Sequence, residues 1–211
     1  MNIIMTGSTN FVGAATVREL LRRGHTVTAI VRPKSSKLDT ILEGNEEALL
    51  SGRLLVTEND LSEPEKLLEK VTKPQDVFCH FGWGGSGSAS RTDKALQEKN
   101  MEISLETIRT AKALGCKKFL FSGSQAEYGM HQDLITENTV CEPKSLYGEA
   151  KLAMREKGEK LCDELGLRYI HARIFSAYGP GDHPWTLVES CLDTFLSNKE
   201  MSLGACTQKW N

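Results

Sequence analysis

Apolar and polar positions along this chain switch period in a regular way. Residues 2–6 (NIIMT) are a short apolar run, followed by the glycine-flanked turn GSTNFVG at 7–13. Residues 14–23 place apolar side chains at helical spacing and stop at Gly24. Residues 26–31 (TVTAIV) are rich in β-branched side chains and read as a second strand. The alternation continues. A helix is predicted at 38–50, carrying Leu38, Ile41, Leu42 and Leu49, then a strand at 53–57. Ser62 and Glu65 have the spacing of a capping box, with Pro64 in the first turn of the helix they would open. A fourth strand at 76–81 (DVFCHF) leads to a long helix at 91–114, and a fifth strand at 117–122 (KKFLFS) follows. A helix at 144–165, a sixth strand at 167–174 and a helix near 185–198 complete the pattern. Asn100 lies on the apolar side of the long helix, so a buried amide there is expected to bond main chain near the fifth strand.

Strands that alternate with helices specify an α/β fold. The predicted architecture is a Rossmann-type doubly wound parallel sheet in the order 3-2-1-4-5-6. Residues 1–175 are assigned to this domain, and 176–211 to the start of a second, substrate-binding lobe.

The first turn carries chemistry. Gly7 and Gly13 stand where the backbone must approach a pyrophosphate, and the helix behind them offers free N–H groups. Asn10 takes the middle position, and its tolerance of left-handed dihedrals is expected to preserve the turn. The second strand ends in Ile30-Val31-Arg32 rather than in an acidic residue that would hold ribose hydroxyls. Arg32 suits a 2′-phosphate, which favours NADP over NAD; a solvated loop charge is the plainer explanation. Asp60 and Leu61 follow the third strand, where an adenine would lie. The fourth strand runs into Gly82-Trp83-Gly84-Gly85, and ligands sit at such carboxyl ends. Trp83 is either a platform for a sugar or a packed lid residue. His80, inside an apolar strand, reads as a satisfied core histidine.

A second cluster spans 122–151: SGSQAEYG, a loop, then YGEAK. Tyr147 and Lys151 are four apart and share a helix face. A phenol titrates near pH ~10. A neighbouring ammonium is expected to lower that value, so that Tyr147 exchanges a proton with a sugar hydroxyl or ketone while a nicotinamide exchanges hydride. Ser124 would hydrogen-bond the same oxygen. An ordinary surface pair is the bland alternative for a lone YxxxK.

Composition narrows the class. The chain has 211 residues, 39% hydrophobic and 26% charged, as a soluble globular protein has. Its net charge of −2 gives no basic footprint for nucleic acid. No stretch approaches the ~20 apolar residues of a membrane span. Six cysteines lie far apart without a CxxC pair, which points away from a zinc or redox motif and toward idle thiols in a reducing cytoplasm. No metal site is expected.

Taken together, TGSTNFVG, Asp60-Leu61, HFGW, SGSQAEYG, YGEAK and RIFSAYGPGD resemble an extended short-chain dehydrogenase/reductase of the NAD-dependent epimerase/dehydratase family. The wording is most similar to nucleotide-sugar 4-epimerases and 4-ketoreductases. The resemblance implies Ser124, Tyr147 and Lys151 as the catalytic trio. It places Gly7, Thr9, Asn10, Phe11, Val12 and Gly13 at the pyrophosphate, with Arg32, Asp60 and Leu61 on the adenosine side. Phe81, Gly82, Trp83, Asn100, Ser122 and Ile174, with Tyr147 and Lys151, would line the nicotinamide half. Trp83, Ser124, Gln125, Glu127 and Ser176 would meet a nucleotide-sugar substrate. Three departures from the family pattern stand out. Asn10 replaces a glycine, and Ser176 stands where many members have Asn. Gln125 and Ala126 replace the Asp-Glu pair that dehydratases use for water elimination, which argues against dehydratase chemistry.

The reading is therefore an NAD(P)-dependent nucleotide-sugar epimerase or ketoreductase, with a homodimer allowed. The competing class is a non-catalytic NAD(P)-binding regulator, which would need only the glycine turn and not the trio. The ending LGACTQKWN is expected to mark a fragment that binds dinucleotide but turns over nucleotide sugar poorly.

Overall fold

A computed structural model of the chain describes residues 1–85 and 89–207. Parts of the GWGGSGSAS tract (86–88) and of the LGACTQKWN ending (208–211) lie outside the described residues. The elements run β1 (Asn2–Thr6), α1 (Phe11–Arg22), β2 (Thr26–Val31), α2 (Asp39–Leu42), α3 (Glu46–Leu50), β3 (Leu54–Glu58), α4 (Leu67–Lys70), β4 (Val77–His80), α5 (Lys94–Ala113), β5 (Lys118–Ser124), α6 (Leu146–Leu165), β6 (Arg168–Ile174) and α7 (Leu187–Leu196). Single turns of 3-10 helix cover Pro64–Lys66, Ala89–Thr92 and Gln125–Glu127. The six strands form one parallel sheet in the expected order, β3-β2-β1-β4-β5-β6.

Period-two alternation distributes the core over the two faces of the sheet. Ile3, Met5, Val27, Ala29 and Val31 face one way and pack with Ala14, Val17 and Leu21 of α1, Ile41 of α2 and Ala48 of α3. Ile4, Phe78, Phe119 and Phe121 face the other way and meet Ile108 and Ala111 of α5 and Met154 and Cys162 of α6. The central strands are buried on both sides, which is why they read as near-continuous apolar runs.

Four local expectations are corrected. The single helix at 38–50 is two short ones, because Gly44 adopts a positive φ of 74° between them. Ser62 does not cap: its hydroxyl donates to Asp60, and the turn at Pro64–Lys66 has no side-chain cap. Asn100 bonds main chain in the loop after β4 rather than near β5. Its Oδ1 accepts from the Gly84 N–H at 3.0 Å and its Nδ2 donates to the Gly84 carbonyl at 2.8 Å. Asn10 is not left-handed. Its φ of −81° and ψ of 166° make it the N-cap of α1, with Oδ1 accepting from the Gly13 N–H at 2.7 Å.

Candidate active site

At the β1–α1 turn the backbone is packed so closely that side chains would not fit. A Cβ on Gly13 would lie 2.0 Å from the Gly7 carbonyl oxygen, and one on Gly7, whose φ is 67°, would lie 2.6 Å from the Phe81 carbonyl carbon. A Cβ on Gly82 would meet Leu61 at 2.7 Å. Gly7 therefore lets the turn after β1 meet the loop after β4, Gly13 lets that turn close on itself, and Gly82 lets the β4 loop pack on Leu61 after β3. Asn10 strengthens the join, its Nδ2 donating to the Phe81 carbonyl at 3.5 Å. Beneath it, His80 lies between the Thr6 hydroxyl at 2.8 Å and the Ser104 hydroxyl at 3.1 Å. Burial, and next the charge of Lys151, push its imidazole down to about 3, so it is a neutral, satisfied core residue.

Over these loops lies a cleft of about 370 Å³. Its walls include Gly7, Thr9 and Asn10 on the turn, Arg32 and Lys37 beyond β2, Leu61 after β3, and Gly82 and Trp83 after β4. Phe11 and Val12 open α1 at the same end. Asp60 turns aside: its carboxylate accepts from the Ser62 hydroxyl and N–H, which hold it below the usual carboxylate range. Asn59, next to it, lines the cleft instead. The cleft suits a dinucleotide by chemistry: a helix N-terminus and side-chain-free turn for a pyrophosphate, and two cationic residues at the β2 end.

Past Trp83 the wall is aromatic and holds one amine. Lys151 is 2% exposed; its Nζ donates to the Ser122 carbonyl at 2.8 Å and sits 4.0 Å from the Trp83 ring centre and 4.6 Å from that of Phe121. Burial lowers its pKa to about 7, against a smaller upward pull from Glu127. Tyr147 stands edge-on to Trp83, with ring centres 6.3 Å apart, and its own ring centre is 5.7 Å from Lys151 Nζ. The expected lowering of the phenol does not appear. Burial raises Tyr147, opposed by a hydrogen bond from Ser124 and by the charge of Arg91, while Glu127 pushes it further up. Trp83 is fixed from behind, its indole N–H donating to Gln97 at 2.9 Å. It is half-buried and forms part of the cleft wall.

The substrate-side residues separate into two groups. Ser124 faces the phenol; the Ser176 hydroxyl donates to Gln125 Oε1 at 3.3 Å, and Ile174 pairs with Ser124 across β5–β6. Glu127, expected to meet substrate, is fully buried. One oxygen accepts from the Ser124 N–H at 2.7 Å, and the carboxylate meets His171 Nε2 at 2.9 Å and Arg173 Nε at 2.7 Å. Burial alone would raise its pKa, but these partners hold it below the ordinary value. Gly123 makes room, since a Cβ there would stand 2.5 Å from His171 Nε2 and 2.7 Å from Glu127 Oε1. Arg91, His171 and Arg173 went unmarked in the sequence. The buried partner of an acidic residue cannot be found from spacing when it lies 44 or 46 residues away.

Among the described residues no helix is long and apolar enough to cross a membrane. The chain is 27% identical to the "uncharacterized UDP-glucose epimerase YtcB" of Bacillus subtilis, over 96% of this chain and 65% of that protein. It is 30% identical to dTDP-6-deoxy-L-talose 4-dehydrogenase (NAD(+)) of Aggregatibacter actinomycetemcomitans, over 81% of this chain and 60% of that one. The fold matches the crystal structure of UDP-glucose 4-epimerase with UDP-glucose from Thermotoga maritima, with a TM-score of 0.80, 24% identity, and coverage of 97% and 66%. It also matches UDP-glucuronic acid 4-epimerase from Bacillus cereus in complex with NAD, with a TM-score of 0.74, 21% identity, and coverage of 94% and 64%. The chain thus spans two thirds or less of the length of these relatives. The family model for NAD dependent epimerases and dehydratases matches residues 3–210, so the chain belongs to the NAD dependent epimerase/dehydratase family.

Proposed function

We propose that this chain is the dinucleotide-binding part of a nucleotide-sugar epimerase or 4-ketoreductase. The observation that carries the reading is the convergence of Ser124, Tyr147 and buried Lys151 at the carboxyl ends of β4 and β5, next to the glycine-walled cleft. A nicotinamide dinucleotide bound there supplies the hydride acceptor or donor. Gly7, Gly13 and the first turn of α1 hold its pyrophosphate, and Arg32 and Lys37 lie where an adenosine 2′-phosphate would be gripped. That pair supports NADP over NAD.

The residues divide the proton work. The Ser124 hydroxyl orients the sugar oxygen, and the Tyr147 phenol takes or returns its proton. Lys151, anchored on the Ser122 carbonyl, gains and loses its charge beside the cleft around neutral pH, and is a cation below about pH 7. Gln125 and Ala126 offer no carboxylate beside Ser124 for eliminating water, which favours epimerisation or reduction over dehydration. The test is Tyr147→Phe. It is expected to abolish turnover of a nucleotide sugar while leaving dinucleotide affinity within severalfold, as titrated by fluorescence. Near-normal turnover in that variant sinks the assignment.

A further inference from the structure

We infer that Glu127 is a positioning residue: its buried carboxylate, clamped by His171 and Arg173 of β6, fixes Ser124 in place against the Tyr147 phenol. This rests on the proposed roles of Ser124 and Tyr147. Ser124 is tied at two points. Its hydroxyl oxygen accepts from the Ala126 N–H at 3.2 Å, and its own N–H donates to Glu127 Oε1 at 2.7 Å. With a lone pair committed to Ala126, the hydroxyl keeps its proton to donate outward, toward Tyr147 or a sugar oxygen. Glu127 does not meet a substrate itself. It is fully buried, and both of its oxygens are taken: Oε1 by Ser124 N–H and His171 Nε2, Oε2 by His171 Nε2 and Arg173 Nε. A carboxylate in such a place is tolerated only with paired donors. An apolar side chain would fill the same volume without them, but it would leave the Ser124 N–H without its partner.

The clamp continues into the rest of the site. Arg173 is held at its far end by the Tyr128 hydroxyl at 2.8 Å and the Cys141 sulfur at 3.3 Å, so it does not swing away from Glu127 freely. His171 Nδ1 meets the Tyr169 hydroxyl at 3.1 Å, and that hydroxyl donates to the Met154 carbonyl at 3.0 Å. Met154 belongs to α6, the helix that carries Tyr147. One chain of hydrogen bonds therefore runs from Ser124 at the end of β5, through β6, to the helix of the phenol. Two glycines leave space for it. Gly123 does so beneath Glu127 and His171, and Gly158 does so where a Cβ would lie 3.0 Å from the Tyr169 hydroxyl. A misplacement of reacting groups by about 1 Å costs on the order of a hundredfold in rate, so a frame that spans both groups bears directly on turnover.

The test compares two variants of the full chain. Glu127→Gln keeps the shape but sets an amide against two donors. The triple variant Glu127→Leu, His171→Leu, Arg173→Met removes the charged set and leaves an apolar core, a replacement that is often neutral or stabilising. In both, kcat for a nucleotide sugar is expected to fall roughly ten- to a hundredfold, with KM within severalfold. The Ser124 amide is expected to exchange with deuterium about tenfold faster than in the parent, while the Phe119 amide of the same strand keeps its rate. The urea midpoint of the triple variant should match the parent or exceed it. A kcat that returns together with stability in the triple variant assigns Glu127 to the core alone and overturns the inference. Unchanged exchange at Ser124 in Glu127→Gln and in the triple variant overturns it as well. The exchange measurement needs no turnover and decides the matter in a chain that has none. Failure of the catalytic reading is seen separately, in the activity of Tyr147→Phe.

Discussion

Two single side chains carry separable consequences. Lys151 is buried as a cation below about pH 7 and as a neutral amine above it. The unfolded chain keeps the ordinary lysine value near ~10.4. Between those pH values the unfolded state binds a proton that the folded state lacks, so this residue makes stability rise with pH across that window. Below the window the full cost of burying the charge is present. Lys151→Met is therefore expected to gain most in stability, relative to the parent, at pH 6 and least near pH 10. Urea midpoints at several pH values check this, and a difference independent of pH would refute it. Arg32 presents the second consequence. It lines the cleft at the end of β2, and a charge-assisted contact to a phosphate is worth roughly 1.5–3 kcal/mol. Arg32→Ala should weaken NADPH binding by roughly ten- to a hundredfold and leave NADH nearly unchanged. Equal losses for both in calorimetric titration would show a solvated charge only.

At the scale of elements, the N-terminus of α1 shows what Asn10 is for. It occupies an extended conformation that any residue adopts, so its value lies in the side-chain cap on Gly13. Asn10→Ala should cost about 1 kcal/mol of stability, and Asn10→Gly only a few tenths. Chemical unfolding of the two variants, read by circular dichroism, separates capping from backbone freedom; equal losses would rule the cap out. The same element shows how far the sequence could be read. Strand order, the glycine turn and the placement of Tyr147 and Lys151 were legible because each depends on local period and spacing. The role of Asn10 was misread because cap and left-handed turn favour the same residue type. The capping box expected at Ser62 and Glu65 formed instead at Ser124 and Glu127, where the cap side chain and the reciprocal carboxylate bond both occur. The burial of Glu127 and the pKa of Tyr147 depend on partners distant in sequence, and no local pattern encodes them.

Across the whole molecule, the cleft sits where the strand order reverses, between β1 and β4. The two faces of the sheet pack separate sets of helices, while the loops after β1 and β4 interlock at this seam. Gly7 touches the Phe81 backbone, the Gly82 N–H donates to the Thr6 hydroxyl at 3.2 Å, and Asn100 grips both backbone groups of Gly84. A connection held this way opens only when the helix and strands behind it open. In hydrogen–deuterium exchange, the amides of Gly82 and Gly84 should then exchange on the slow timescale of β1 and α5, although both lie in a loop. Asn100→Ala should speed exchange at Gly84 without doing so at Gly82. The floor of the cleft would thus keep its shape through the local fluctuations that loosen ordinary loops, leaving an incoming ligand a standing surface rather than one it must first assemble.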